Sequence, residues 1–123
     1  MAGLFTLSCG LGPFSVVINA ENDSGQSGNA AFSGAGQFST HVLIAITPGL
    51  KGSTPDLGPQ VASLYYGRCH ALGDVADTLQ PVIAGRSDSV VASQIEGLKG
   101  IKYALVVKRS DSSAQRVGCG NLP

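Results

Sequence analysis

"IKYALVVK", residues 101–108, decides the fold class. In an extended chain Ile101, Tyr103, Leu105 and Val107 fall on one side and Lys102, Ala104, Val106 and Lys108 on the other, the period of two of a half-buried strand. Shorter runs of the same kind extend outward from it in both directions. They are "LFTLS" (4–8), "FSVVINA" (14–20), "NAAFSGAG" (29–36), "QFSTHVLIAI" (37–46), "VASLYY" (61–66), "PVIAG" (81–85), "SDSVVASQI" (87–95) and "QRVGCGN" (115–121).

Turn formers separate these runs. "ENDSGQSG" (21–28) offers Asn22, Asp23 and Gly25 for left-handed or Asx-turn geometry. "TPGLKGSTPDLGPQ" (47–60) is dense in Pro and Gly and reads as a loop, residues 67–81 as a long connection, and "EGLKG" (96–100) as a crossover. Gly or Pro interrupts nearly every window long enough for a helix, and the best helical candidate, "SVVASQIEGL" (89–98), alternates as well as it turns and stays undecided between strand and helix. The pattern predicts an all-β domain of about eight strands, an antiparallel Greek-key sandwich or flattened barrel of immunoglobulin-like architecture.

The length, 123 residues, suits one domain. Eight basic and eight acidic residues cancel, and no basic run exceeds Lys108-Arg109. Such a chain lacks the electrostatic footprint for a nucleic-acid backbone or an anionic membrane. It has no apolar run long enough for a membrane span. Residues 14–123 form the predicted sandwich, with residues 1–13 as an apolar extension strand.

Cys9, Cys69 and Cys119 are an odd number of thiols without a C-x-x-C pair. Neither a zinc knuckle nor a thioredoxin-type dithiol fits, and one staple with a spare thiol fits better.

Several short motifs then occur in a characteristic order. They are Gly67-x-Cys69, Gly73-x-Val75, Leu79-x-Pro81-Val82, Gly85-x-Ser87, Tyr103-Ala104-x-x-Val107 and Arg116-x-x-Cys119-Gly120-Asn121, with "NDSGQSGNAAF" upstream. Together they resemble the Cu/Zn superoxide dismutase family, in particular its bacterial secreted members, over residues 14–122. The resemblance implies a disulfide between Cys69 and Cys119, tying a long loop to the last strand. Closing about fifty residues in this way stabilises by about 4 kcal/mol on chain-entropy grounds. It also implies an oxidising setting: secreted, periplasmic or at the cell surface.

The same resemblance places copper-ligating histidines where this chain has Ser63, Tyr65 and Lys108. A hydroxyl, a phenol and an ammonium stand in for three imidazoles. With His41 and His70 the only histidines, a copper site needing three or four cannot be assembled, so no metal, cofactor or catalytic residue is expected. Arg116 sits where the family guides a small anion, and here it reads as a strand-end Arg with a polar partner. Tyr65, Tyr66, Arg68 and His70 are candidates for a polar-aromatic recognition patch, and His41 reads as a strand-surface residue.

Other chemistries find no motif. There is no G-x-S-x-G, no P-loop and no Rossmann setting, and Asp74 and Asp77 read as solvated loop acids. The expectation is a non-catalytic extracellular structural or interaction protein. Its N-terminal strand has two outlets: assembly with copies of itself, or with another extracellular protein, with Cys9 as a possible intermolecular thiol, or completion of the domain's own sheet with Cys9 buried and inert. The alternatives are a small-ligand or anion-binding module in the vacated metal pocket, contacted by Arg116, Tyr66, Arg68 and His70, and an active superoxide dismutase.

Overall fold

A computed structural model describes residues 13–48, 59–110 and 113–123. Eight strands form: β1 (Phe14–Ala20), β2 (Gly28–Gly36), β3 (Ser39–Ile46), β4 (Ala62–Arg68), β5 (Ala71–Thr78), β6 (Arg86–Val91), β7 (Tyr103–Ser110) and β8 (Ser113–Asn121), with one six-residue helix, α1 (Ile95–Gly100), between β6 and β7. All pairings are antiparallel, and the sheet runs β5-β4-β7-β8-β1-β2-β3-β6. It curls so that one face encloses the core.

That face follows from the alternation. Val16 and Ile18 of β1, Ala30 and Phe32 of β2, Val42 and Ile44 of β3, Leu64 of β4 and Leu105 of β7 are all buried, and their neighbours in sequence point away from the main core. Phe14 stacks on Phe32 at 4.7 Å between ring centroids, extending the core past the first turn of β1. Leu98 of α1 closes the core from one side.

The left-handed turn expected at Asn22 and Asp23 forms. Both residues have positive φ, Gly25 follows with φ 73°, and the Ser24 N–H donates to the Glu21 carbonyl. A second turn of this hand, at Ala84-Gly85, pairs Ile83 with Arg86 through two backbone bonds of 2.9 and 3.0 Å. Gly85 is at home there, whereas Ala84 carries a Cβ at φ 51°.

Three expectations are corrected. Residues 71–78 of the supposed connection form β5, because a bulged register with β4 gives even its exposed side chains a ladder. "PVIAG" contributes two isolated bridges, Gln60–Val82 and Ile83–Arg86, instead of a strand. The run 87–95 stops as a strand at Val91, and the whole of the supposed crossover 96–100 coils into α1 with Ile95, where Ile95 and Leu98 bury at helical spacing. Residues 1–12, with the predicted strand 4–8 and Cys9, lie outside the described residues.

Two features of the sheet position the surfaces discussed below. β1 and β8 share just two ladder pairs, Asn19–Cys119 and Ala20–Gly118, and the strands press together there. A Cβ added at Gly120 would lie 2.3 Å from the Val17 carbonyl oxygen, so no other residue fits without moving the backbone. At the β6 end of the sheet, the buried Ser87 hydroxyl donates to the Gln80 carbonyl and Ser89 accepts from the Gln80 N–H, at 2.8 and 2.9 Å. The Ile83–Arg86 bridge does not continue as a ladder, since the next residue back, Val82, bonds through both its N–H and its carbonyl to Gln60.

Candidate functional site

The outward face of β4, β7 and β8 carries the positions singled out by the sequence. Ser63 lies opposite Val106 and Tyr65 opposite Ala104, while Val106 lies opposite Cys119. Ala104, Val106 and Cys119 form a second buried cluster, covered by Tyr65, Cys69 and Leu72. β7 is therefore buried on both faces from Tyr103 to Val107, against the one-sided burial expected from its alternation. The cover that removes Ala104 and Val106 from water is the Cys69 turn and the β5 strand that follows it.

The Cys69 turn is pinned by bonds of three kinds. Cys69 and Cys119 are bridged, with Cα atoms 6.0 Å apart and 50 residues between them in sequence. The Cys69 N–H donates to the Asn121 side-chain oxygen at 2.8 Å. Its carbonyl accepts from Arg116 Nη2 at 2.8 Å. Arg116 in turn holds both Glu21 carboxylate oxygens, at 2.7 and 2.8 Å, in a half-buried fork that fixes its plane. The Asn22 side chain donates to the Arg116 carbonyl, closing the group.

Lys108 and Tyr65 meet as well. The ammonium lies over the phenol ring, 5.7 Å from its centroid, a cation–π contact across the outward face. Ser63, on the same face, is buried. Ser63, Tyr65 and Lys108, the three positions where the sequence resemblance expects imidazoles, are thus neighbours. Their chemistry is a packed hydroxyl, a ring and the cation that covers it.

The recognition patch of Tyr65, Tyr66, Arg68 and His70 does not assemble, because strand alternation separates its members. Tyr65 faces outward, whereas Tyr66 points to the core side and stacks on Tyr103 at 5.4 Å. Arg68 donates to the Leu122 carbonyl, and His70 is exposed in the turn after β4. Burial, followed by the nearby Tyr66 and Asp77, raises the Tyr103 pKa above the ordinary phenol value. His41 lies on the opposite side of the molecule, bonded to Asp88 across β3 and β6.

Two residues without any sequence signal, Gln26 and Gln60, belong to the structure's interior. Both are buried, and each amide donates to the other, at 3.1 and 2.8 Å. Their remaining N–H groups reach the Thr47 and Lys108 carbonyls at 3.1 Å each. Glu21, the partner of Arg116, was hidden in a stretch read as a turn. A polar partner was expected, but nothing local announces a contact across 95 residues.

Among the described residues no three His, Cys, Asp or Glu side chains converge as a metal site would require. Comparison with protein-family models, with curated proteins and with solved structures returns no match.

Proposed function

We propose that this chain is a non-catalytic structural or interaction module on a Cu/Zn superoxide dismutase-like scaffold. It works in an oxidising compartment, secreted, periplasmic or at the cell surface, and assembles with copies of itself through residues 1–13. The observation that carries the reading is the pairing of Lys108 with Tyr65. Where the resembling family uses imidazoles, this chain lays the Lys108 side-chain nitrogen over the Tyr65 ring, a contact that packs the surface in place of an imidazole ligand.

The disulfide supports the compartment, since such a bridge persists where thiols are not kept reduced. The anion-binding alternative has lost most of its donor: two of the three Arg116 nitrogens are committed to Glu21 and to the Cys69 carbonyl. What remains on offer is surface, which suits contact with another macromolecule better than chemistry on a small one.

Two measurements test the reading. Protein refolded with copper and zinc is expected to show no superoxide dismutation above that of the free ions, and one tightly held copper per chain would overturn it. Light scattering after size exclusion should give a larger mass for the full chain than for a chain lacking residues 1–13. Equal masses would remove the N-terminal strand from the proposal.

A further inference from the structure

The outward face of β1, β2, β3 and β6 lies away from the β4, β7 and β8 site, and the His41–Asp88 contact stands at its β6 side. Register fixes its rows. Ser15, Ala31, Leu43 and Asp88 stand side by side in one row. Val17, Asn29, Ala45 and Arg86 stand in the next. On β1, β2 and β3 neither row has a charge, and the two charges, of opposite sign, sit at the β6 margin. Val17 and Leu43 are 67% and 44% exposed, and a shallow depression bounded by Asn29, Ala31, Leu43, Ala45, Arg86 and Asp88 lies between the rows.

This pattern is self-complementary. A twofold axis in the plane of the face, perpendicular to the strands and midway between the rows, lays each row on the other row of a second copy. Asp88, one of whose carboxylate oxygens is bonded to His41 within the chain and whose side chain is otherwise exposed, then faces the copy's arginine at position 86, and Arg86 faces its aspartate at position 88. Leu43 comes down on the small side chain of the opposing alanine, within the depression. A random partner surface would need both charges matched in order, whereas a second copy supplies them by symmetry.

We propose that this face is a homodimer contact, two sheets stacked about 10 Å apart with Leu43 at the centre and reciprocal Arg86–Asp88 pairs at the margin. The surface is separate from residues 1–13, so the proposal extends the functional reading without resting on the N-terminal strand. Four strands about 4.8 Å apart and the two rows with their flanks cover on the order of 400 Å² per copy. That is the size of a weak contact whose occupancy depends on concentration.

The test is sedimentation equilibrium on the full chain carrying Cys9→Ser, from about 10 μM to about 1 mM, the range in which a contact this small dissociates. A reversible dimer is expected. Leu43→Glu, R86D and D88R should each weaken it at least about tenfold while leaving the thermal melt cooperative. The decisive arm mixes the last two variants. Alone, each sets like charges against like across the axis. Mixed one to one, two acidic side chains meet two basic ones, and dimer should return to within about threefold of the parent chain. A monomer at every concentration overturns the proposal. So does association that survives Leu43→Glu but is lost without residues 1–13, because it belongs to the N-terminal strand, and so does a mixture no more associated than its components.

Discussion

Gln26 and Gln60, 34 residues apart, exchange two amide hydrogen bonds inside the fold, and each passes its second N–H to a backbone carbonyl. The pair knits the segment after β1 to the segment before β4 and to β7. Every amide donor is used, so the closed ring is favourable where a half-made one would be costly. Gln60→Ala is expected to destabilise by about 3 kcal/mol in urea unfolding, since it strands the Gln26 carbonyl and the Lys108 carbonyl together. Gln26→Ala should cost a similar amount, and the double variant much less than their sum. Additive losses would mean that the two amides act separately.

The disulfide lends itself to a second measurement. Reduction, or Cys119→Ser, should lower unfolding stability by about 4 kcal/mol through release of the long loop in the unfolded chain. Native spectra should persist in mild conditions, because Asn121 and Arg116 hold the Cys69 backbone without the sulfurs. A reduced protein as stable as the oxidised one would remove the staple from the account.

Arg116 and Glu21 are predicted to act as a unit. Arg116→Ala leaves a half-buried carboxylate and the Cys69 carbonyl without their guanidinium, at a cost of about 2 kcal/mol. Arg116→Lys should recover little of it, since an ammonium cannot hold two carboxylate oxygens and a carbonyl in one plane. Full rescue by lysine in a melting experiment would show that charge alone matters there.

Ala84 offers a gain. Its φ of 51° is strained for any residue with a Cβ, so Ala84→Gly should stabilise by about 1 kcal/mol despite the added freedom of the unfolded chain. Loss of stability on this substitution would mean that the Ala84 methyl group packs more than its exposure suggests.

Alkaline pH should find Tyr103. Burial holds its phenol protonated above the ordinary value of 10.0, with Tyr66 and Asp77 adding to the shift. The folded state thus binds that proton more tightly than the unfolded one. Its contribution is complete below the unfolded pKa and disappears as pH rises through the folded one. Tyr103→Phe is expected to flatten the stability decline above about pH 10, where phenols titrate. An unchanged decline would assign the effect to other groups.

Much of the strand plan could be read in the sequence because alternation is local. β1, β2, β3, β4 and β7 each bury every second side chain toward the core, and the Asn22-Asp23 turn declared itself through residues that tolerate positive φ. β5 was missed because it buries little of its own surface. Leu72 covers the outer cluster and Val75 stays exposed, so no alternation survives to be seen. The two-sided burial of β7 was hidden for a related reason, since Ala104 and Val106 are covered by residues more than thirty positions upstream. At the candidate site the positions Ser63, Tyr65, Lys108 and Arg116 were legible as residue types. Their partners were not, because Lys108 and Tyr65 meet over a distance that no local rule measures.

The Ile83–Arg86 bridge and the Ser87 and Ser89 hydroxyls have a consequence for how such molecules can crowd together. At its start β6 is paired back to Ile83 through the Ala84-Gly85 turn, and its Ser87 and Ser89 hydroxyls bind the Gln80 backbone, so the start of that margin is already taken before a foreign strand arrives. A protein with little net charge and a nearly uncharged flat side would otherwise be at risk at high concentration. Here that side can be covered reversibly by a sibling, and the margin beside it begins with a pairing made within the chain.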